Sequence, residues 1–254
     1  MDIDEIAIEA KGFQRTLDNV KKEIAPTAFS WYPYGTLDNF HVLRSLLSGP
    51  NRNLLELAGE GGRIVDIGAA DGDTALFLEH LGREADVVDY APTNFNGCQG
   101  VRALKEALGS NVAIHEVDLD ARFDLPGQEY QLAFFLGILY HLKNPFGALE
   151  SLSRLARHAL ISTRITRFNT VRSRRANRVE LSAVPVAYLV DPYETNNDPT
   201  NFWIFSDAGL RRVLARSGWD ILDYSSFGNT SDSDPATTQG DERAFCLVRS
   251  RHFG

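Results

Sequence analysis

Three acids and two glycines crowd into one short stretch, Arg63-Ile-Val-Asp-Ile-Gly-Ala-Ala-Asp-Gly-Asp73, and together they suggest a ligand-binding turn. Ile64, Val65 and Ile67 supply the β-branched apolar run of a buried parallel strand. Gly68 and Gly72 permit a tight turn and a close approach of backbone to ligand, and Thr74 to Leu81 has helical composition ending at Gly82. The spacing is G-x-x-x-G and not the G-x-G-x-x-G of a dinucleotide site. Asp66, Asp71 and Asp73 would repel a pyrophosphate but accept a ligand with an amino group and a cationic centre. Gly68, Ala69 and Gly72 would line the turn. A second strand, Ala85 to Tyr90, ends in Asp89 about 20 residues after the glycines, where an acid can accept hydrogen bonds from ribose hydroxyls. Tyr90 adds an aromatic face.

Two further stretches carry chemistry. Val117-Asp118-Leu119-Asp120 follows a third apolar run, and Phe134-Phe-Leu-Gly-Ile-Leu-Tyr-His-Leu-Lys-Asn-Pro145 places Tyr140 and His141 at the end of a fourth, just after Gly137. Ligands of open α/β sheets bind beyond the carboxyl ends of the strands, which selects all four turns. His141 has the ordinary pKa range of a general base, and it equally suits a helix-capping or orienting role. Group transfer to an already nucleophilic atom needs little beyond proximity and alignment, so a dedicated base is not required. Trp31, Tyr32 and Tyr34 offer aromatic surface for a cofactor, an acceptor or the core.

A glycine turn plus a ribose acid, without phosphate-binding chemistry, resembles the class I S-adenosylmethionine (SAM) methyltransferases. The resemblance implies that the turn holds the methionine end, Asp89 the ribose, and Asp118 with Leu119 the adenine. Leu136-Gly-Ile-Leu-Tyr-His141 with Asn144-Pro145, Asn201-Phe-Trp-Ile-Phe-Ser206 and Arg243-Ala-Phe-Cys-Leu-Val-Arg249 are similar to segments of the bacterial tRNA wobble-uridine carboxymethyltransferases. That likeness covers roughly residues 31 to 249. In that family a Tyr, an Arg and an N-terminal Lys hold the extra carboxylate of carboxy-SAM. Tyr140 and Arg243 match the first two, and both suit a carboxylate. Nothing before Trp31 matches the Lys, which favours plain SAM over carboxy-SAM. Arg243 would then be free to orient an anionic acceptor. The expected activity is methyl transfer from SAM to an oxygen or nitrogen, with a small-molecule acceptor preferred to tRNA. A non-catalytic SAM-binding module is the alternative from another class.

The elements that must position these residues alternate. Strands are expected at 63–67, 85–89, 112–117, 131–137 and 158–165, with helices at 73–81, 95–108 and 145–156. This spacing gives parallel βαβ units in a doubly wound, Rossmann-like sheet. A helix from Ser206 to Ser217 and two closing runs, 219–225 and 243–249, complete seven strands with an antiparallel C-terminal hairpin. Residues 3–24 read as an amphipathic helix ended by Pro26, and 37–47 as a second helix. The expected organisation is an N-terminal helical cap over 1–60 and a SAM-binding domain over 61–254. An insertion at about 166–205 interrupts that domain and would choose the acceptor.

The 254 residues are 43% apolar and carry a net charge of −8, which argues against indiscriminate nucleic-acid binding. Against that total, Arg154, Arg157, Arg164, Arg167, Arg172, Arg174, Arg175 and Arg178 lie in a window without acids, as a solvated face or an anchor for an acidic partner. No run approaches the ~20 apolar residues of a membrane span. The start, Met-Asp-Ile-Asp-Glu, is acidic and unlike a secretory signal, so a cytoplasmic location is expected. Cys98 and Cys246 read as buried thiols, and the scattered histidines suggest no metal. The oligomeric state is not encoded in any of these patterns.

Overall fold

A computed structural model describes residues 1–121, 123, 125, 129–170, 178–195, 197–235 and 240–253. The helices are α1 (Ile3–Ile24), α2 (Asn39–Leu46), α3 (Asp73–His80), α4 (Gln99–Leu108), α5 (Pro145–Leu155) and α6 (Asp207–Arg216). The strands are β1 (Ile64–Ile67), β2 (Ala85–Asp89), β3 (Ala113–Glu116), β4 (Tyr130–Leu136), β5 (Ala156–Thr166), β6 (Phe168–Thr170), β7 (Arg178–Glu180), β8 (Ala187–Leu189), β9 (Trp203–Ser206), β10 (Trp219–Gly228) and β11 (Glu242–Ser250). Seven strands follow the order β10-β11-β5-β4-β1-β2-β3; β9 pairs with β5, and β8 with β9. This is the expected Rossmann-like sheet with an antiparallel C-terminal pair. By contact the chain divides into two compact units, Met1–Phe134 with Leu155–His158, and Phe135–Arg154 with Ala159–Gly254.

In the first unit β1 pairs in parallel with β2 and β4, and β2 with β3. Every residue of β1 is buried, as its β-branched composition requires of a strand flanked on both sides. α1 begins with a capping box in which the Asp2 side chain accepts from Asp4 N–H and the Glu5 side chain accepts from Asp2 N–H. Ile3, Ile6, Ala10, Phe13 and Leu17 form its buried stripe. Phe13 packs on Phe77 of α3 at 5.8 Å between ring centroids, and Phe40 of α2 meets Phe77 at 5.1 Å. These contacts tie both N-terminal helices to α3.

α4 starts at Gln99, four residues later than its sequence suggests. Asn94 and Asn96 explain the delay, because their side chains bond to nearby backbone in place of helical turns. Asn94 Oδ1 accepts from the N–H groups of Asn96 and Cys98, and Asn96 Oδ1 from Gly100 N–H.

In the second unit β10 and β11 form a long antiparallel pair with an irregularity between Ile221 and Asp223. Trp219 is buried and donates from Nε1 to Leu149 O at 3.0 Å, fastening β10 to α5. The described residues from 167 to 206 hold four short strands. β6 and β7 make a separate antiparallel pair, while β9 runs parallel to β5 with Ile165 opposite Phe205. Glu242, fully buried, receives the Arg167 guanidinium and the Ser233 hydroxyl, so the pair is both charge-matched and hydrogen-bonded. Among the described residues no helix is long and apolar enough to cross a membrane.

Candidate active site

The glycine turn is built where β1 and β2 end level with each other, with Ile67 opposite Val88. Gly68, Ala70 and Gly72 all take positive φ, at 71°, 54° and 79°. A Cβ on Gly72 would sit 2.5 Å from Val101 Cγ2, so both φ and space demand glycine there. The Ala70 N–H is claimed by Asp89: its Oδ2 accepts from Ala70 N–H at 2.9 Å and from Asn94 Nδ2 at 2.9 Å, and its Oδ1 from Tyr90 N–H at 2.7 Å. Three of the roughly four acceptor positions of this carboxylate are thus occupied, leaving about one for a ligand hydroxyl. Burial raises the Asp89 pKa, with the three hydrogen bonds pulling the other way.

Asp66 lies in β1 two residues before Gly68. It is buried, and its Oδ2 has no hydrogen-bond partner. Burial, reinforced by the neighbouring Asp89 and Asp73 charges and opposed by a backbone hydrogen bond from Ala75, lifts its pKa to about 8. An orphaned carboxylate oxygen costs free energy unless it is protonated or finds a donor. A cationic donor would satisfy it.

Asp71 is used differently. Its Oδ2 accepts from Lys21 Nζ at 3.2 Å and from Tyr32 N–H at 2.9 Å, and its Oδ1 from Asn96 Nδ2 at 2.8 Å. Lys21 also reaches Asp73 at 3.0 Å. The acid expected to face a ligand therefore ties α1 and the Ser30–Tyr34 segment to the turn. Trp31 takes part, donating from Nε1 to Lys21 O at 3.2 Å. Tyr32 stands edge-on to Tyr34 and to Phe95, at 5.4 and 5.8 Å. Gly100 is a member that spacing did not single out. A Cβ there would fall 2.0 Å from Asp71 Oδ1 and 2.7 Å from Asn96 Nδ2. Tyr90, Asp118 and Leu119 are half-buried; Asp118 Oδ1 accepts from Asp120 N–H at 3.0 Å, closing the turn after β3. Ala69 is buried at the centre of the turn.

In the second unit Gly137, Tyr140, His141 and Arg243 gather. Gly137 has φ 76° and donates to Ser162 O, after which a single 3-10 turn over Leu139–His141 presents the tyrosine. Arg243 Nη1 donates to Tyr140 Oη at 3.3 Å, with the guanidinium 5.4 Å from the centre of the tyrosine ring. Gly137 leaves room beside them, since a Cβ would stand 3.8 Å from Arg243 Nη1 and 4.0 Å from Tyr140 Oη. The His141 ring packs on Tyr140 at 4.1 Å, and its Nδ1 lies 2.9 Å from Thr200 Oγ1 and 3.1 Å from Thr200 O. Burial, together with the nearby Arg243 charge, depresses the His141 pKa despite the Thr200 hydrogen bond and Asp198. The lowered pKa favours a neutral imidazole, held in place by Thr200 and the Tyr140 ring.

Four arginines of the arginine-rich window are paired with acids. Arg154 meets Glu150, Arg164 meets Asp241 at 2.6 Å, Arg167 meets Glu242, and Arg178 meets Asp232. Arg172, Arg174 and Arg175 lie outside the described residues. Cys98 and Cys246 are buried and unbridged, and among the described residues no His, Cys, Asp and Glu group could hold a metal ion.

Residues 40–224 match the methyltransferase domain family. The chain belongs to this family, and the protein is a class I SAM-dependent methyltransferase. No curated protein matches it in sequence. Among solved structures it is similar to the N-terminal domain of EvdMO1 with S-adenosylhomocysteine (SAH) bound, at 18% identity and TM-score 0.55 over 99% of this chain and 98% of that one. A putative methyltransferase of Bacillus halodurans aligns at 11% identity and TM-score 0.54, over 80% and 99% of the two chains. The 1,6-didemethyltoxoflavin-N1-methyltransferase of Burkholderia thailandensis aligns at 18% and TM-score 0.50, over 78% and 75%.

Proposed function

We propose that the protein transfers a methyl group from SAM to an oxygen or nitrogen of a small molecule, in the cytoplasm. The carrying observation is Asp66, a buried carboxylate with an unpartnered oxygen in the strand that leads into the glycine turn. SAM has the complementary group, an α-ammonium, and its methyl is made electrophilic by the sulfonium. Gly68, Ala69 and Gly72 give the backbone approach, Asp89 uses its remaining acceptor position on a ribose hydroxyl, and Tyr90, Asp118 and Leu119 take the adenine end. Asp71 and Lys21 hold the turn in shape from behind.

Plain SAM is preferred to carboxy-SAM for a specific reason. The N-terminal lysine that reaches the turn, Lys21, is already bonded to Asp71 and Asp73, so its charge is engaged by two acids. Tyr140 and Arg243, a phenol donor and a guanidinium, suit an anionic group of the acceptor. The preference for a small acceptor over tRNA is supported by the acid partners of Arg154, Arg164, Arg167 and Arg178. The small-molecule methyltransferase of Burkholderia, named for its 1,6-didemethyltoxoflavin substrate, has a related fold. Calorimetric competition between SAM and carboxy-SAM tests the reading. Tighter binding of SAM is expected; a marked preference for carboxy-SAM, together with tight and salt-sensitive tRNA binding, would favour the wobble-uridine alternative.

A further inference from the structure

Beside the glycine turn, α1, the Tyr32–Asp38 segment and the start of α3 border an open cleft of about 290 Å3. Its lining includes Gln14, Asp18, Lys21, Tyr32, Tyr34, Asp38 and Asp73. Three carboxylates thus face one cation. The unpartnered buried atoms in the lining are both acceptors. Asp73 is 2% exposed and its Oδ1 has no partner, although Oδ2 is bonded to Lys21. Gln14 Oε1 is likewise buried and unpartnered. Its amide orientation follows from its neighbour, because Nε2 donates to Asp18 Oδ1 at 2.9 Å. Acceptors that lack donors, carboxylates in excess and two tyrosine rings at 69° to each other describe one kind of guest. An ammonium brings three donors, one positive charge and an attraction to aromatic faces.

We propose that this cleft anchors a protonated primary amine carried by the methyl acceptor; the proposal rests on the methyltransferase reading. Asp73 Oδ1 and Gln14 Oε1 accept two of its N–H groups, and Asp18, Asp38 and the tyrosine faces supply the field. Burial pushes the Asp73 carboxyl up in pKa, with Lys21 opposing, so a second cation relieves a cost the free protein bears. An amine held as ammonium has no lone pair to methylate. The cleft therefore fixes the acceptor by one group while a different atom receives the methyl.

The test uses the full chain at pH 7 and constant ionic strength, with benzylamine and its neutral isostere benzyl alcohol as probes, followed by thermal shift and calorimetry, with and without SAH. Saturable stabilisation by benzylamine alone is expected. It should weaken about two- to fivefold in Tyr34→Ala and in Asp38→Asn, the scale of exposed cation–π and ion-pair contacts. Both residues are exposed, so these variants keep the fold, and SAH affinity should stay unchanged in each. Absence of saturable amine binding, equal binding of the alcohol, or indifference to both substitutions overturns the proposal. Displacement of SAH by the amine also overturns it, since the cleft would then belong to the cofactor's own ammonium. SAH affinity measured without amine tests the cofactor reading separately, so the two ideas fail independently.

Discussion

Asp66 makes cofactor binding a pH-dependent event with a calculable slope. With a pKa of about 8 in the free protein, its carboxyl is mostly protonated at neutrality. The proposed ammonium partner requires the carboxylate, so binding must expel that proton. Affinity then scales as 1/(1 + 10^(pKa − pH)), which improves about 25-fold, ~1.9 kcal/mol, between pH 6.0 and 7.5. The sign for stability is the reverse. The folded pKa lies above the value of 3.8 for the unfolded group, so the fold binds the extra proton throughout that window. The Asp66 contribution to stability is therefore full below about pH 4 and declines as pH rises to about 8, at ~1.4 kcal/mol per pH unit at most. Calorimetry of SAH binding in buffers of different ionisation enthalpy, repeated across this range, measures both the slope and the proton released. Asp66→Asn should flatten the slope and abolish the release. A wild-type affinity that is flat from pH 6.0 to 7.5, or an unchanged slope in the variant, would refute the assignment.

Asp89→Ala should weaken SAH by about 1.5–3 kcal/mol, the scale of hydrogen bonds to a charged group, and unchanged binding by calorimetry would remove Asp89 from the site. Arg243→Ala should leave SAM affinity nearly intact and raise the acceptor KM in steady-state kinetics; a large loss of cofactor affinity instead would place the arginine on the donor. Gly100→Ala should lower stability by ~1–3 kcal/mol in denaturant unfolding, because its Cβ collides with the Asp71–Asn96 hydrogen bond. A neutral effect would mean that the Asp71 network yields easily.

What could be read from the sequence was local. The β1–turn–α3 unit announces itself through β-branched residues followed by glycines, and Asp89 through its distance from them. β10 and β11 were visible as two β-like runs around a polar turn. Less was legible where a partner lies far along the chain. The Lys21–Asp71 ion pair spans 50 residues, and no spacing rule links a lysine in an amphipathic helix to an acid in a glycine turn. Asp71 consequently read as a ligand-facing residue. β9 is only four residues long and gains its place through parallel pairing with β5, so its apolar run passed as part of an insertion. The late start of α4 reflects side-chain competition by Asn94 and Asn96 that helical composition alone hides.

The Lys21 bridge bears on how this chain could be recombined with others. A crossover near residue 60 would look natural, falling after the N-terminal helices and before the first strand. It would exchange Lys21 while keeping Asp71 and Asp73, both buried and both left without their shared cation. A chimera would then carry two uncompensated acids directly behind its cofactor turn, and its defect would surface as weak SAM binding even if the transplanted helix packed well. Swapping α1 together with the turn through α4 keeps lysine, acids, Asn96 and Gly100 together as one block.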